Sequence, residues 1–428
     1  MLFKNIAVLK ADGTYLKNQY VGVKDKQIAW LSDTPPVEDF GETVDGSRGL
    51  LIPGLVNAHT HVAMTLMRGY GEELPLQSWL FDRIFPFEDK LTADAVYWGS
   101  VLGMAEMMAT GTVSFTDMYY FCEETAKAAI ECGIKANIGR GVSCFDPQKR
   151  FSDLPAYAEL KELIAAYHGA EDGRVRIDVA PHAEYTTRPD ILCDTAAMAA
   201  EYGLRMQIHV SETQSEHLEC VGRHGVTPTG LLEKTGVLAQ PLTVAHGVWL
   251  TDDDMDRLAR YDATVAHCAK SNLKLGSGIA QTEKLLRKGV GVAIGTDSAA
   301  SNNALDMLDE MKVAGLLAKG VARDPAAFSA AQVLYCSTRA GALSQGRADC
   351  GDIQEGYRAD LVMLNTEDIG FSPSHAALSN LLYAAGSRAV KMTMIDGRVV
   401  YCNGEFLTLD IERARFETQR CTDAILKK

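Results

Sequence analysis

Histidines and carboxylates suited to binding one metal ion follow apolar segments along the middle of the chain. Two histidines end the run Pro53-Gly54-Leu55-Val56-Asn57-Ala58-His59-Thr60-His61. Residues at i and i+2 of a strand project to the same face, so both imidazoles can reach one ion. Other apolar segments also end in polar residues: His182, His209, His246 and Asp297. Catalytic zinc-type sites use neutral imidazoles, a carboxylate and an open position for water.

We therefore predict that one metal ion is bound by four residues: His59, His61, His209 and Asp297. Glu212 follows His209 by three residues and is placed to carry a proton without ligating. Taken alone, any one of these histidines is better explained as a structural residue. Asp297, which precedes Ser298, could simply cap a helix. The repetition of the pattern at several strand ends is what favours a metal site.

Short Val- and Ile-rich segments alternate with helical ones through the middle of the chain. Such nearly continuous apolar segments are typical of strands buried on both faces. The eight strand candidates are Leu50–His61, Val113–Asp117, Lys135–Gly141, Val175–His182, Arg205–Glu212, Leu242–Gly247, Ala263–Ser271 and Val292–Asp297. Eight strand–helix units predict a parallel (β/α)8 TIM barrel, an α/β fold with its chemistry at the C-terminal strand ends.

The two ends of the chain instead show the alternation of antiparallel strands. Turn residues separate these segments, and Asp396-Gly397 is a strong two-residue hairpin signal. We predict one small β-sandwich formed by the N- and C-terminal segments. Its N-terminal part would be residues 1–52 and its C-terminal part residues 349–428, with the barrel at 53–348. The last stretch, Ile411–Lys428, is predicted to form a surface helix.

The composition of the chain indicates which kinds of partner are disfavoured and which cellular compartment to expect. The formal net charge of −14 argues against nucleic acid or an anionic membrane surface as a partner. The ten cysteines are scattered without a C-x-x-C pair and indicate reduced thiols, so we expect a cytoplasmic protein. No signal peptide or membrane-spanning run is apparent. The sequence leaves open whether the chain forms a homo-oligomer.

Several motifs resemble a known family. They are PGLVNAHTHVAMTLMRG, FPFEDKLT, APHAEYTT, HVSETQSE, VAHGVWL, SNLKLGSGIA and GTDSAASNN. These segments are similar to the amidohydrolase superfamily and, within it, to the 5'-methylthioadenosine/S-adenosylhomocysteine deaminases. The resemblance covers nearly the whole chain. Its metal motifs are highly specific, whereas its substrate motifs are shared with triazine hydrolases and other aminohydrolases.

The resemblance implies a set of substrate-binding residues. Glu88 matches a glutamate that holds the ribose hydroxyls, and His182 matches a histidine at the purine edge. Arg140 matches an arginine near the distal end of the ligand. Arg150 lies where the family has a second one, but Lys149 or Arg150 could serve in that role, or neither. Two further matches complete the set: Trp79, which would pack near the nucleoside, and Ser301, which would contact the base.

The activity implied is metal-assisted hydrolytic deamination of an adenosine derivative to the inosine derivative and ammonia. Water would attack C6 of adenine, oriented by Asp297 and His246, and Glu212 would protonate the adjacent ring nitrogen. The predicted fourth strand has no lysine that could bridge two ions, which favours one divalent metal. Zinc is expected, although iron and manganese accept the same ligands. Methylthioadenosine, S-adenosylhomocysteine, 5'-deoxyadenosine and adenosine remain open as the preferred substrate.

Three alternatives compete with this hypothesis. The same site could act on a triazine, guanine or pterin ring. A metal-dependent assembly protein without catalysis is disfavoured, since all four predicted ligands and Glu212 are present. A cytidine-type zinc deaminase would need H-x-E with P-C-x-x-C, and no C-x-x-C occurs.

Overall fold

The computed structural model describes residues 1–427, which form two β-sheets and many helices. The strands β1–β17 are Leu2–Leu9, Tyr15–Lys24, Gln27–Ser32, Thr43–Asp45, Gly49–Pro53, Leu55–Thr60, Thr112–Tyr119, Lys135–Val142, Val175–Pro181, Met206–Val210, Leu242–His246, Ala263–His267, Gly291–Ile294, Leu361–Asn365, Val390–Ile395, Arg398–Cys402 and Glu405–Phe406. The helices α1–α17 are Leu76–Trp79, Phe85–Glu88, Ala93–Ala109, Cys122–Cys132, Pro155–Tyr167, Ala170–Gly173, Pro189–Tyr202, Gln214–His224, Pro228–Lys234, Asp252–Leu258, Ala269–Lys274, Thr282–Arg287, Met307–Ala322, Ala330–Ser337, Arg339–Ser344, Ala377–Asn380 and Ile411–Leu426. Short 3-10 segments cover Val62–Met67, Phe151–Asp153, Val237–Ala239, Ile369–Phe371 and Gly386–Ala389, and π-helical turns cover Leu80–Ile84 and Leu381–Ala385.

Strands β6 to β13 form an eight-stranded parallel sheet in chain order, which confirms the predicted TIM barrel. The first and last strands meet where the Asp297 N–H donates to the His59 carbonyl at 2.9 Å. Gly295 permits this approach, because a Cβ there would lie 2.8 Å from the His59 nitrogen. Two predicted metal ligands are thus held at the seam of the barrel.

The predicted strand Leu50–His61 is in fact two strands in different sheets. Residues Gly49–Pro53 belong to the terminal sheet and Leu55–Thr60 to the barrel. Both segments are buried on both faces, so their apolar pattern does not reveal the change of sheet. Similarly, the predicted strand Ala263–Ser271 ends at His267, and a short helix follows it.

Both termini contribute strands to the second sheet, which confirms that the two ends of the chain form one β structure, here a single mixed sheet. Its order is β17-β16-β15-β14-β5-β1-β2-β3, with β4 beside β1. The sheet is mixed, because β1 pairs in parallel with β4 and β5. The predicted hairpin joins β15 to β16, and both Asp396 and Gly397 have positive φ, at 48° and 74°.

Buried contacts join this sheet and the C-terminal helix to the barrel. The Lys135 ammonium, at the start of β8, contacts the carboxylates of Asp360 and Asp396. Helix α17 packs on α3, where the Thr418 hydroxyl donates to the Trp98 carbonyl at 3.0 Å. The predicted surface helix is therefore anchored on the barrel, and Lys428 lies outside the described residues. Within residues 1–427, no helix combines the length and apolarity needed to cross a membrane.

Candidate active site and metal centre

The C-terminal ends of the barrel strands surround a small chamber of about 60 Å³. It is lined by eight of the predicted site residues: His61, Trp79, Glu88, His182, His209, Glu212, His246 and Asp297. Much of the remaining wall is apolar or aromatic, including Met64, Leu76, Ile84, Tyr119, Tyr185 and Leu275. Apolar walls with a few converging polar groups are typical of a small-molecule site.

The four predicted metal ligands converge at the base of this chamber. The Asp297 Oδ1 atom lies 3.3 Å from His61 Nε2 and 3.6 Å from His59 Nε2. The Nε2 atoms of His61 and His209 are 3.3 Å apart. Ligand atoms of His59, His61 and Asp297 all lie within 4.8 Å of one another, and so do those of His59, His209 and His246.

The hydrogen bonds of the imidazoles involve the ring nitrogens that face away from the cluster. The opposite ring nitrogens therefore face one another, as they would around a metal ion. The Nδ1 atom of His209 lies 2.7 Å from the His182 carbonyl, and that of His61 contacts the Met118 carbonyl. A carbonyl can only accept, so Nδ1 carries the proton in both rings, and in neutral His209 the Nε2 atom turns a lone pair toward the cluster. Both ring nitrogens of fully buried His59 lack a hydrogen-bond partner among the described residues. Burial lowers the pKa of His59 and of His209, which keeps them in the neutral form that binds metals.

Two serines donate hydrogen bonds to the carboxylate oxygen of Asp297 that faces away from the histidines. The hydroxyls of Ser271 and Ser301 both donate to Asp297 Oδ2, at 2.5 Å and 2.8 Å. Ser301 is 1% exposed and lines neither cavity of the site, and its hydroxyl is placed to position Asp297. Its contact with a base stays a prediction. Asp297 has a φ of 59° and His246 a φ of 71°, left-handed conformations that are uncommon for residues other than glycine.

Glu212 and His246 lie side by side next to the predicted metal ligands. Their nearest side-chain atoms, Glu212 Oε2 and His246 Nε2, are 3.7 Å apart. The Ser277 hydroxyl donates to the other oxygen of Glu212 at 3.1 Å, and His246 Nδ1 lies 2.8 Å from the Asn272 side-chain oxygen. Burial raises the pKa of Glu212, which favours the protonated form that a general acid needs.

The predicted nucleoside-binding residues are distributed along the chamber. Burial raises the pKa of Glu88 to about 7, and this carboxyl lies where the chamber meets a larger cavity. His182 Nδ1 is 3.0 Å from the Thr186 hydroxyl, and burial lowers the His182 pKa to about 3, so its ring is neutral. Trp79, the last residue of α1, lies in the wall of the chamber.

The larger cavity, of about 840 Å³, extends outward from Glu88 and contains Arg140. Phe85, Glu88, Tyr120 and Ser143 line both spaces, which are therefore continuous. Arg150 is exposed and outside both cavities, as is Lys149. The structure thus brings Arg140 to the site and does not bring either candidate for a second cation.

Sequence reasoning missed the residues that orient the catalytic groups. Ser271, Asn272 and Ser277 each contact a different site residue, yet nothing in their spacing distinguishes them from helix-capping residues. Tyr119 and Tyr185 in the chamber wall were missed as well. The run SNLKLGSGIA contains all three polar residues, and the resemblance of this motif was the one signal that pointed to them.

Comparison with known proteins agrees with this geometry. The profile of the Amidohydrolase family matches residues 50–400. A 5-methylthioadenosine/S-adenosylhomocysteine deaminase of Dictyoglomus thermophilum is 39% identical over 100% of this chain and 99% of its own length. A 5'-deoxyadenosine deaminase of Methanothermobacter thermautotrophicus is 41% identical over 94% of this chain and 93% of its own length.

Solved structures show the same fold. The crystal structure of an adenosine deaminase from Xanthomonas campestris with bound zinc has a TM-score of 0.94 and 32% identity, covering 100% of this chain and 98% of that one. The atrazine chlorohydrolase of Arthrobacter aurescens in complex with zinc has a TM-score of 0.91 at 23% identity, covering 98% and 99%, which shows the fold alone.

The fold and the histidine–aspartate centre define a metal-dependent hydrolase on a TIM barrel. The chain belongs to the amidohydrolase family, and its full-length similarity places it with the 5-methylthioadenosine/S-adenosylhomocysteine deaminases of that family. The family predicted from the motifs is thereby confirmed.

Proposed function

We propose that this protein hydrolyses the exocyclic amino group from the adenine ring of 5'-substituted adenosines, releasing ammonia and the inosine derivative. The proposal rests on one observation. The predicted metal ligands cluster at the base of the chamber whose wall contains both Glu212 and Glu88. The names of the full-length relatives, which are deaminases of methylthioadenosine, S-adenosylhomocysteine and 5'-deoxyadenosine, support the same substrate class.

His59, His61, His209 and Asp297 would hold one divalent metal per chain, for which we propose zinc. When bound, the metal supplies Lewis-acid activation of the attacking water. His246 lies close to two of the proposed ligands, and we assign it the orientation of that water rather than ligation. This assignment follows from its contact with Glu212, the proposed proton carrier.

The protein's own groups would then move the protons. Asp297 lies with one oxygen toward the histidines and the other held by two serines, so it can accept the proton that the water loses. Glu212, protonated by virtue of its burial, would deliver a proton to the ring nitrogen beside C6. The proton held by Asp297 would pass to the amino group, which leaves as ammonia, and Glu212 would regain its proton from the C6 hydroxyl as the carbonyl forms.

Binding would use the outer half of the chamber. We propose that Glu88 accepts hydrogen bonds from both ribose hydroxyls, a task suited to a carboxylate. Neutral His182 would contact the purine edge, and Trp79 would pack against the nucleoside. We assign Ser301 to the support of Asp297 on the basis of its hydrogen bond. The ten free cysteines support our proposal of a cytoplasmic location.

The test is a panel of amino-substituted rings assayed for ammonia with metal-analysed protein. Methylthioadenosine, S-adenosylhomocysteine, 5'-deoxyadenosine and adenosine should yield ammonia and the matching inosine derivative. Guanine, a pterin and a triazine should yield little. In Glu212→Gln, turnover should fall by roughly two orders of magnitude or more with the metal retained. Preferential activity on a non-nucleoside ring would contradict the proposal.

A further inference from the structure

We propose that Glu159 receives the α-ammonium group of an amino-acid substituent at the 5' end of the substrate. Its partner Arg140, which the family resemblance already implies at the distal end of the ligand, would face the α-carboxylate of the same group. This inference rests on the deaminase function proposed above, and it deepens that function by assigning the choice among 5' substituents to a pair of residues.

The position of the pair follows from the two continuous cavities. Glu88 lines the boundary between the chamber and the outer cavity. A nucleoside with its base at the metal ligands and its ribose at Glu88 would extend its 5' substituent into the outer cavity. Arg140, at the C-terminal end of β8, and Glu159, on α5, both line that cavity.

Arg140 is the one cationic side chain among the described residues that line the outer cavity. Its Nε donates to Glu159 Oε2, its Nη1 donates to the Gly141 carbonyl, and its guanidinium lies 4.9 Å from the centroid of the Tyr120 ring. These contacts fix the plane of the guanidinium. Its Nη2 has no hydrogen-bond partner within residues 1–427, so this corner is available to an acceptor on the substrate.

Only one of the two carboxylate oxygens of Glu159 has a partner among the described residues. Its Oε2 contacts Arg140, and its side chain is 46% exposed to the cavity and solvent. Two other glutamates of the wall, Glu123 and Glu124, are already paired with Lys127 at 2.9 Å each. Glu159 is therefore the wall carboxylate that stands directly beside the cation.

This arrangement is complementary to a zwitterion and less so to a single charge. A substituent carrying only a carboxylate would meet the charge of Glu159 next to Arg140. A substituent carrying only an ammonium would meet Arg140 next to Glu159. S-adenosylhomocysteine carries both charges on one carbon, so each could face its opposite without leaving a like-charge contact.

The experiment compares four nucleosides in wild type and two variants. The nucleosides are S-adenosylhomocysteine, its analogue without the amino group, its analogue without the carboxylate, and neutral methylthioadenosine. The variants are Glu159→Gln and, as a matched control, Glu162→Gln. Glu162 lies on the same helix and lines the same cavity, and it forms no ion pair among the described residues. The readout is kcat/KM for ammonia release, divided by the value for methylthioadenosine.

In Glu159→Gln we expect the relative kcat/KM for S-adenosylhomocysteine and for the amine-only analogue to fall roughly tenfold. The carboxylate-only analogue should improve, because Arg140 is freed. Glu162→Gln should leave the ratios unchanged. Equal losses on all four nucleosides, or equal effects of both variants, would overturn the inference. Wild type that releases ammonia from none of the four would overturn the proposed function itself.

Discussion

Glu216, in the first turn of α8, holds the backbone of Glu212 in the loop before that helix. Its two carboxylate oxygens accept hydrogen bonds from the N–H groups of Ser211 and Glu212, each at 2.7 Å. Glu216 is buried, and Ser211 has a left-handed φ of 50°. Thr213 caps the same helix by accepting from the Glu216 N–H at 3.2 Å. The proposed proton carrier is therefore fixed in position through its main chain.

This relationship predicts that Glu216→Gln lowers kcat although Glu216 does not line the chamber. A glutamine has one acceptor oxygen, so one of the two N–H groups loses its partner. We expect a loss of roughly tenfold in kcat with metal content unchanged. Glu219→Gln, on the exposed side of the same helix, is the control and should behave as wild type. A Glu216→Gln enzyme with normal kcat would show that the loop holds its shape without this contact.

The candidate metal ligands could be predicted because each follows an apolar strand, and the parallel barrel brings all such positions to one face. Glu216 could not, because its role depends on which backbone groups the loop turns toward it. For the same reason, the sequence could not show that the Ser301 hydroxyl donates to Asp297. Leu50–His61 appeared to be one strand because burial on both faces hides the passage from one sheet to the other.

The ligand set predicts the metal content. Purified protein should contain about one zinc per chain, and dialysis against a chelator should abolish activity until zinc is restored. His61→Ala should lose most of the metal, because a ligand facing Asp297 at 3.3 Å is removed. His375→Ala, which removes an exposed histidine, should keep it. The measurement is elemental analysis of zinc per chain in wild type and both variants. Full metal occupancy in His61→Ala would exclude that residue as a ligand.

Glu88 predicts a pH dependence confined to substrates with a ribose diol. Its pKa is raised to about 7 by burial, so the carboxylate that accepts from both hydroxyls forms only as the pH rises through that value. The ratio of kcat/KM for methylthioadenosine to that for its 2',3'-dideoxy analogue should increase across this range. Glu88→Gln should remove the step and lower the ratio roughly tenfold. Asp89→Asn, which changes the neighbouring carboxylate of the cavity wall, is the control and should leave the pH dependence of the ratio as in wild type. If the ratio still rises near pH 7 in Glu88→Gln, a group other than Glu88 causes the pH dependence.

Glu310 links helix α11, which carries Ser271, to the loop that carries Ser301. It is 0% exposed, and it accepts from the Lys270 N–H at 2.9 Å and from the Asn302 side chain at 2.8 Å. Burial raises its pKa from 4.5 to about 8. The folded state therefore binds this proton more tightly than the unfolded state. Its contribution to stability is fully present below pH 4.5 and is lost as the pH rises toward 8.

Replacing this group should flatten the pH dependence of stability. We expect the free energy of unfolding of wild type, relative to Glu310→Gln, to decline by up to a few kcal/mol between about pH 5 and 8. The measurement is urea denaturation of zinc-saturated protein at both pH values. Asp324→Asn, an exposed carboxylate just beyond the same helix, should show no such change. A constant difference between wild type and Glu310→Gln would mean that the glutamate stays ionised in the folded protein and acts through its two hydrogen bonds alone.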